Sequence, residues 1–246
     1  LLSDIVRFFP SPEYRECVGI NRKTNEIFEA HHDFAAAKTA YVFKTMVDPF
    51  IGKYSFVKVC SGVLKGDDVL YNPESDAEAK IGKIYTLSGN KPVEVQELFA
   101  GDIGAIAKLT STKTGDTLST KNTPVSYGRT EYSKPYTYMK YVVNNKGDED
   151  KVSQALAKMM AEDVTLKVVN DSENRQSLIY GMGDQHLEVT ASKLAERYKV
   201  GIRLETPKVA FRETIRKNSD VDTKYKKQSG GHGQYGHVKM RFEPSG

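Results

Sequence analysis

The chain has 246 residues, 39% of them hydrophobic and 28% charged, with a formal net charge of +4. That is the composition of a globular chain with room for one large domain or two to three small ones, and no segment approaches the ~20 consecutive apolar residues of a membrane span. Two cysteines, Cys17 and Cys60, are too few for a disulfide framework and suit a reducing cytosol.

The first residues, LLSDIVRFFPSP, place Asp4 inside an apolar run and carry no basic leader. They do not read as a secretory signal but as the last turns of a helix whose domain lies outside the sequence. Up to about Tyr132 the pattern is β-like, with Gly and Asp at the turns. Tyr54 to Cys60 alternates large apolar with smaller or polar residues, the period of a half-buried strand. Within it Cys60 reads as a small buried thiol. Leu64 to Leu70 reads as strand, turn, strand, and Ile81–Tyr85 and Ile103–Ala107 add further strands. Many short strands with regular turns predict a small closed or partly closed barrel. A helical interruption is expected at Phe34–Lys38, whereas Val42–Val47, before Asp48 and Pro49, reads equally as a strand.

After Pro135 the pattern changes. Tyr136–Val143 is a strand. Lys151–Glu162 carries Val152, Ala155, Leu156, Met159 and Met160 on one helical stripe, the methionines serving as core filler. Leu166–Val169 and Ser177–Tyr180 are strands joined by a turn. A second helix is expected with Asp184 as its N-cap, Leu187, Ala191, Leu194 and Tyr198 on its buried stripe, and Gly201 ending it. Ile202–Glu205 is the last strand. This order, strand, helix, strand, strand, helix, strand, is the ferredoxin-like split βαβ sandwich. Beyond it, Val209–Ile215 and Val238–Phe242 look strand-like and flank a glycine-rich loop. So few strands rarely fold alone. The fold class is therefore multi-domain: a β-barrel, an α+β ferredoxin-like sandwich, then an incomplete α+β domain. Unpaired strand edges in that last part predict a mobile tail or strand-swapped self-association.

The loop Lys226 to His237, KKQSGGHGQYGH, lacks the Lys-Ser or Lys-Thr that a nucleotide P-loop requires, and it leads into a strand-like segment where a P-loop would open a helix. Nucleotide hydrolysis within this sequence is not expected, and no catalytic residue is assigned. His232 and His237 lack partners at zinc spacing, so no metal site is expected; His31 and His32 read as an exposed pair, and His186 as a packing or capping residue. From Thr223 to Phe242 the chain carries Lys224, Lys226, Lys227, Lys239 and Arg241 with no Asp or Glu. Such a stretch is either a solvated ribbon or a patch that attracts phosphates. The loop is either a mobile hairpin tip or a recognition element, since glycine lets backbone approach a partner closely and Gln228, Ser229 and Gln234 offer hydrogen bonds suited to an RNA minor groove.

The segments DPFIGKYSFVKVCSGVLKGDDVLY, GDTLSTKN, GMGDQHLEV, FRETI and KQSGGHGQYGHV, in that order, resemble elongation factor G, the translocation GTPase family of bacteria. The resemblance runs over essentially the whole chain. It implies that residues 1–33 are the end of a GTPase domain and a linker, 34–128 the β-barrel second domain, 135–206 the ferredoxin-like third domain, and 208–246 the start of the fourth. It implies a cytoplasmic protein whose partners are the ribosome at its decoding region, tRNA and mRNA, with no membrane. GTP and Mg would bind the absent domain, and no cofactor would bind here. Gln228, Ser229, Gly230, Gly231, His232, Gln234 and Tyr235 match the family's tRNA- and mRNA-contacting tip, and Gly183, Asp184 and His186 its third-domain motif. Two departures stand out. The motif usually reads Gly-Glu-Leu-His, and the tip usually has arginine at His232, a charge that histidine does not hold permanently. A ribosome-recycling or ribosomal-protection relative, or a stand-alone RNA-binding adaptor, are the alternative readings.

Overall fold

The computed structural model describes residues 1–48, 52–89, 91–228 and 230–244, and the chain divides into two compact units, Leu1–Pro207 and Lys208–Gly246. The first unit opens on helix α1 (Leu2–Phe8), which buries none of its residues. Strands β1 (Cys17–Asn21) and β2 (Ile27–Ala30) follow. They carry little sequence signal because Val18, Ile20 and Ile27 all stay exposed.

Strands β3 (Thr39–Asp48), β4 (Gly52–Ser61), β5 (Val63–Lys65), β6 (Val69–Asn72), β7 (Ala77–Lys80) and β8 (Ile84–Ser88) come next. Strands β9 (Lys91–Val95), β10 (Glu97–Phe99), β11 (Ile103–Ala107), β12 (Thr117–Ser119) and β13 (Val125–Tyr127) complete the region. Eight of them form one sheet in the order β7-β6-β12-β3-β4-β11-β8-β9, with β10 and β5 paired beside it. The sheet curls around a core of Ala40, Val42, Val57, Val59, Leu64, Leu70, Ile84, Leu98, Ile106 and Leu118, a partly closed barrel. The ambiguous Val42–Val47 is strand, within β3. β13 leaves the barrel to pair with β1, so that β13-β1-β2 forms a separate sheet of three strands.

Phe34–Lys38 is not helical. Asp33 accepts the Ala35 N–H on its Oδ1 at 2.8 Å and the Gly62 N–H on its carbonyl at 2.8 Å. These bonds bend the chain back toward β4 before so short a run can nucleate a helix. Ile81–Tyr85 is likewise broken: Ile81 is buried in a loop and the strand begins at Ile84. Leu64 and Leu70 lie on strands that pair elsewhere, β5 with β10 and β6 with β7.

The sandwich contains β14 (Thr137–Val143), α2 (Glu149–Glu162), β15 (Lys167–Asp171), β16 (Gln176–Gly181), α3 (Asp184–Tyr198) and β17 (Ile202–Glu205). Its sheet order is β15-β16-β14-β17, all antiparallel. Both helices cover one face. Met139, Tyr141 and Val143, alternate residues of β14, join Ile179, Ile202 and Leu204 against Val152, Leu156, Met159, Leu187 and Leu194. Asp184 is not the N-cap of α3. Gly183 holds that position, and Asp184 Oδ1 instead accepts from Thr137 Oγ1 at 3.3 Å. Nor does Gly201 end the helix. Lys199 does so in the left-handed conformation, at φ 56°. Gly201 is small for another reason: a Cβ there would lie 2.5 Å from Asn144 Nδ2.

The end of α2 joins the barrel to the sandwich. Beyond Val42 the outer edge of β3 is no longer covered by β12. There the Val47 N–H donates to Glu162 Oε1 at 2.7 Å, and its carbonyl accepts from Arg197 Nη2 at 3.0 Å. Glu162 and Arg197 also bond each other, at 3.0 and 3.2 Å. Two side chains thus satisfy one residue of an open strand edge, as a neighbouring strand would.

The second unit is an antiparallel hairpin of β18 (Ser219–Gln228) and β19 (Gly233–Phe242). The strand expected at Val209–Ile215 is absent: residues 208–216 have no regular structure, and Val209, Phe211 and Ile215 are exposed. β19 pairs instead with Ser219–Gln228, in a register that runs unbroken from Ser219↔Phe242 to Gln228↔Gly233.

Candidate nucleic-acid interface

Alternation along the hairpin divides its side chains between two faces. One face carries Val221, Thr223, Tyr225 and Lys227, opposite Met240, Val238, Gly236 and Gln234. The other carries Asp220, Asp222, Lys224, Lys226 and Gln228, opposite Arg241, Lys239, His237, Tyr235 and Gly233. The first is largely apolar and the second almost wholly polar.

The register changes the meaning of the basic stretch. Lys239 Nζ lies 2.9 Å from Asp222 Oδ2, and Arg241 Nε lies 2.7 Å from Glu243 and 3.8 Å from Asp220. His237 Nε2 meets Asp222 Oδ1 at 2.5 Å. Hydrogen bonds from Lys239 and then His237 hold the Asp222 carboxyl below the usual carboxylate range. Asp220 and Asp222 fall just before the acid-free stretch in sequence, yet the pairing sets them across from its two last cations. Among the described residues Lys224, Lys226 and Lys227 have no such ion pair. The uncompensated charge therefore lies at the tip half of the hairpin and not along its full length.

At the tip, Gln228 and Gln234 sit at the strand ends. Gly230 adopts φ +88°, a conformation that L side chains rarely adopt, and neither Gly230 nor Gly231 has a neighbour within 4 Å of a Cβ position. His232 is exposed beside them. Ser229 lies outside the described residues. Tyr235 is 68% exposed and Tyr225 is 55% exposed, one on each face, so each offers an open ring. Tyr225 belongs to no motif of the sequence; its period-2 spacing among the lysines of β18 is the signal that marks it.

The third-domain motif lies in the other unit and forms a joint within it. The Met182 N–H donates to His186 Nδ1 at 3.0 Å, so the ring proton sits on Nε2 and is donated to Asp163 Oδ2 at 3.0 Å. Partial burial pushes the Asp163 carboxyl up, but bonds from the Thr165 hydroxyl and N–H, together with His186, outweigh it and leave the group below its ordinary value. A Cβ on Gly181 would stand 2.7 Å from Leu187 Cδ2 and 2.9 Å from His186 Nδ1. His186 thereby ties the start of α3 to Asp163 at the end of α2, and Gly181 leaves room for it.

A cleft of about 1240 Å³ between the β1-β2 hairpin and the barrel is lined by Arg22, Lys121 and Arg129 among others. Two of these charges are already paired, Lys121 with Glu78 and Arg129 with the buried Asp116, while Arg22 donates to Ser126 Oγ. Among the described residues no group of three or more His, Cys, Asp or Glu side chains could hold a metal ion, and no helix is long and apolar enough to cross a membrane.

Comparison with known proteins locates these parts. The family model for elongation factor G domain 2 matches residues 37–121, that for elongation factor G domain III matches 133–206, and that for elongation factor G domain IV matches 207–246. A crystal structure of a protein from Thermus thermophilus is similar at a TM-score of 0.74 and 30% identity, over 98% of this chain and 34% of that one. The chain thus spans about a third of the length of the solved protein it matches.

Proposed function

Because the chain belongs to the elongation factor G family and carries its domains II, III and IV in order, we propose that it supplies the ribosome-contacting part of a factor that advances tRNA and mRNA, with hairpin β18–β19 as the element that meets the nucleic acid. Domains II to IV are the non-catalytic domains of this translational GTPase family. GTP and Mg would act in the parent protein's GTPase domain, and domains II to IV would relay that state to the hairpin.

The observation that carries the reading is the coincidence, at one end of one hairpin, of three lysines that form no ion pair among the described residues with a tip whose Gly230 and Gly231 have open space around them. Lys224, Lys226 and Lys227 supply long-range attraction to phosphates. The tip lets peptide groups approach a backbone that larger side chains would hold off. Gln228 and Gln234 can donate to and accept from ribose 2′-hydroxyls, and Tyr225 and Tyr235 can stack on unpaired bases.

The test is a salt titration of binding to a short A-form RNA duplex. Replacing Lys224, Lys226 and Lys227 together by Ala should reduce the slope of log affinity against log salt by about 2 to 3, near one for each phosphate released. Lys239→Ala, which removes a cation already paired with Asp222, should change it much less. Equal effects from both variants would overturn the assignment. In a parent protein carrying the GTPase domain, Gly230→Trp with Gly231→Trp should slow tRNA advance. Unchanged advance accompanied by lost subunit splitting would assign the factor to recycling instead.

A further inference from the structure

The two cysteines are 43 positions apart in sequence, yet they meet in one side-chain cluster, where each perturbs the other's thiol. Cys17 lies on β1 and Cys60 on β4, so the contact bridges the three-stranded sheet and the barrel. Both pack with Ala30, Phe28, Val125 and Tyr127 in one small cluster. Their surroundings differ. Cys17 is half-buried and Cys60 is buried. The Cys60 hydrogen bond is the main influence lowering the Cys17 thiol to about 6; burial opposes it, and the Lys58 and Arg15 cations assist. Cys60 is pushed up, first by the same bond and then by burial.

Behind Cys60 runs a hydrogen-bonded chain with a fixed direction. Ser61 Oγ donates to the Ala37 carbonyl at 2.6 Å. With its one proton so used, it must accept from Thr39 Oγ1 at 2.6 Å, and Thr39 must in turn accept from Tyr127 Oη at 2.7 Å. Tyr127 also touches Cys60. Lys58 O, 3.7 Å from Cys60 Sγ, is the remaining acceptor near that thiol.

We propose that Cys17 and Cys60 form a peroxide-reactive pair, Cys17 being the sulfur oxidised first and Cys60 the one that resolves it, and that the resulting disulfide fastens the β1–β2 hairpin to the barrel. In the first step the Cys17 thiolate attacks one oxygen of hydrogen peroxide. An S–O bond forms and the O–O bond breaks. The departing hydroxide takes up the proton the thiol had released, giving water, and Cys17 becomes a sulfenic acid. In the second step the Cys60 sulfur attacks the Cys17 sulfur. The S–S bond forms, the S–O bond breaks, and hydroxide leaves with the Cys60 proton as a second water. Two thiols lose two electrons and one peroxide gains them. A thiol reductant reverses the bond.

The partition of roles follows from access. Peroxide can reach the half-buried Cys17, whereas Cys60 is enclosed and meets only the sulfur already beside it. The consequence is local: β1 pairs with β2 and β13, and the disulfide would add a covalent tie to β4.

The experiment treats the full chain with hydrogen peroxide and counts free thiols, of which there are two. Both should disappear together, with a mass loss of two hydrogens, a Cys17–Cys60 cross-linked peptide, and full recovery on adding dithiothreitol. Amide exchange across Cys17–Ala30 should slow several-fold in the oxidised chain. In Cys60→Ala, Cys17 should be captured by dimedone as the sulfenic acid. In Cys17→Ala, Cys60 should stay titratable. Both thiols surviving excess peroxide in the unaltered chain, a Cys17 sulfinic acid without the cross-link, or disulfides only between chains would each overturn the pairing.

Discussion

Replacing Glu162 by Ala tests whether two side chains truly substitute for a strand at the edge of β3. The carboxylate accepts the Val47 N–H at 2.7 Å and two bonds from Arg197 at 3.0 and 3.2 Å. Its side chain is 18% exposed and that of Arg197 34%. A surface ion pair would contribute only ~0–1 kcal/mol. Here the loss is larger, because a hydrogen bond to a charged group contributes ~1.5–3 kcal/mol and the Val47 amide loses its acceptor. Discounting for partial exposure, we expect about 2 kcal/mol, roughly 30-fold in the local opening equilibrium. Native-state amide exchange of the segment containing Val47 should accelerate by about that factor, while exchange at Val57 and Val59, in the barrel core, stays unchanged. Arg197→Ala should do less, since Glu162 still accepts from Val47. The double variant should fall short of the sum by ~1 kcal/mol or more, the sign of coupling between groups in contact. Strict additivity, or a Val47 exchange rate within twofold of the parent, would refute the strand-substitute reasoning.

The two tip glycines should respond differently to alanine. Gly230 has φ +88° and Gly231 has no positive φ, so Gly230→Ala should destabilise the hairpin by ~1 kcal/mol and Gly231→Ala by little; amide exchange at the closing pair Gln228↔Gly233 reads the difference. The depressed Asp163 carboxyl sets a pH dependence. A folded value below the ordinary 3.8 contributes stability that is fully present above about pH 4–5 and is lost as pH falls through the folded value. The stability gap between the parent chain and Asp163→Asn, measured by denaturant titration, should therefore be constant from pH 7 to 5 and close below pH 4. A gap that widens in acid would contradict the sign.

Periodicity carried most of the first unit. Val152, Leu156 and Met159 could be read directly as a buried stripe, because burial on a single side imprints its period on the sequence, and Tyr136–Val143 could be read as a strand. Where that condition fails, so does the reading. β18 has the residues of an alternating strand, SDVDTKYKKQ, but both of its faces are exposed, and nothing apolar enough marks it. Val209, Phe211 and Ile215 alternate well, yet no described strand pairs with them. At Phe34–Lys38 three alanines suggest helix, and a single carboxylate, Asp33, redirects the chain. The candidate interface was legible as composition but not as charge. That Lys239 and Arg241 are compensated while Lys224, Lys226 and Lys227 are not depends on which residues face each other across the hairpin, and register is a tertiary fact. The same holds for His186: its sequence says histidine near a helix start, and only the Met182 amide and Asp163 fix its role.

The placement of Asp220 and Asp222 beside Arg241 and Lys239 makes the hairpin an electric lever. One end is cationic and the other nearly balanced, so in the field of a polyanion it experiences a torque as well as a pull. It would swing into alignment, glycines foremost, before any atom touched, and a search over orientations would become a guided approach. Reversing the acids to lysine would strengthen the attraction and abolish the steering, giving tighter but misdirected encounters.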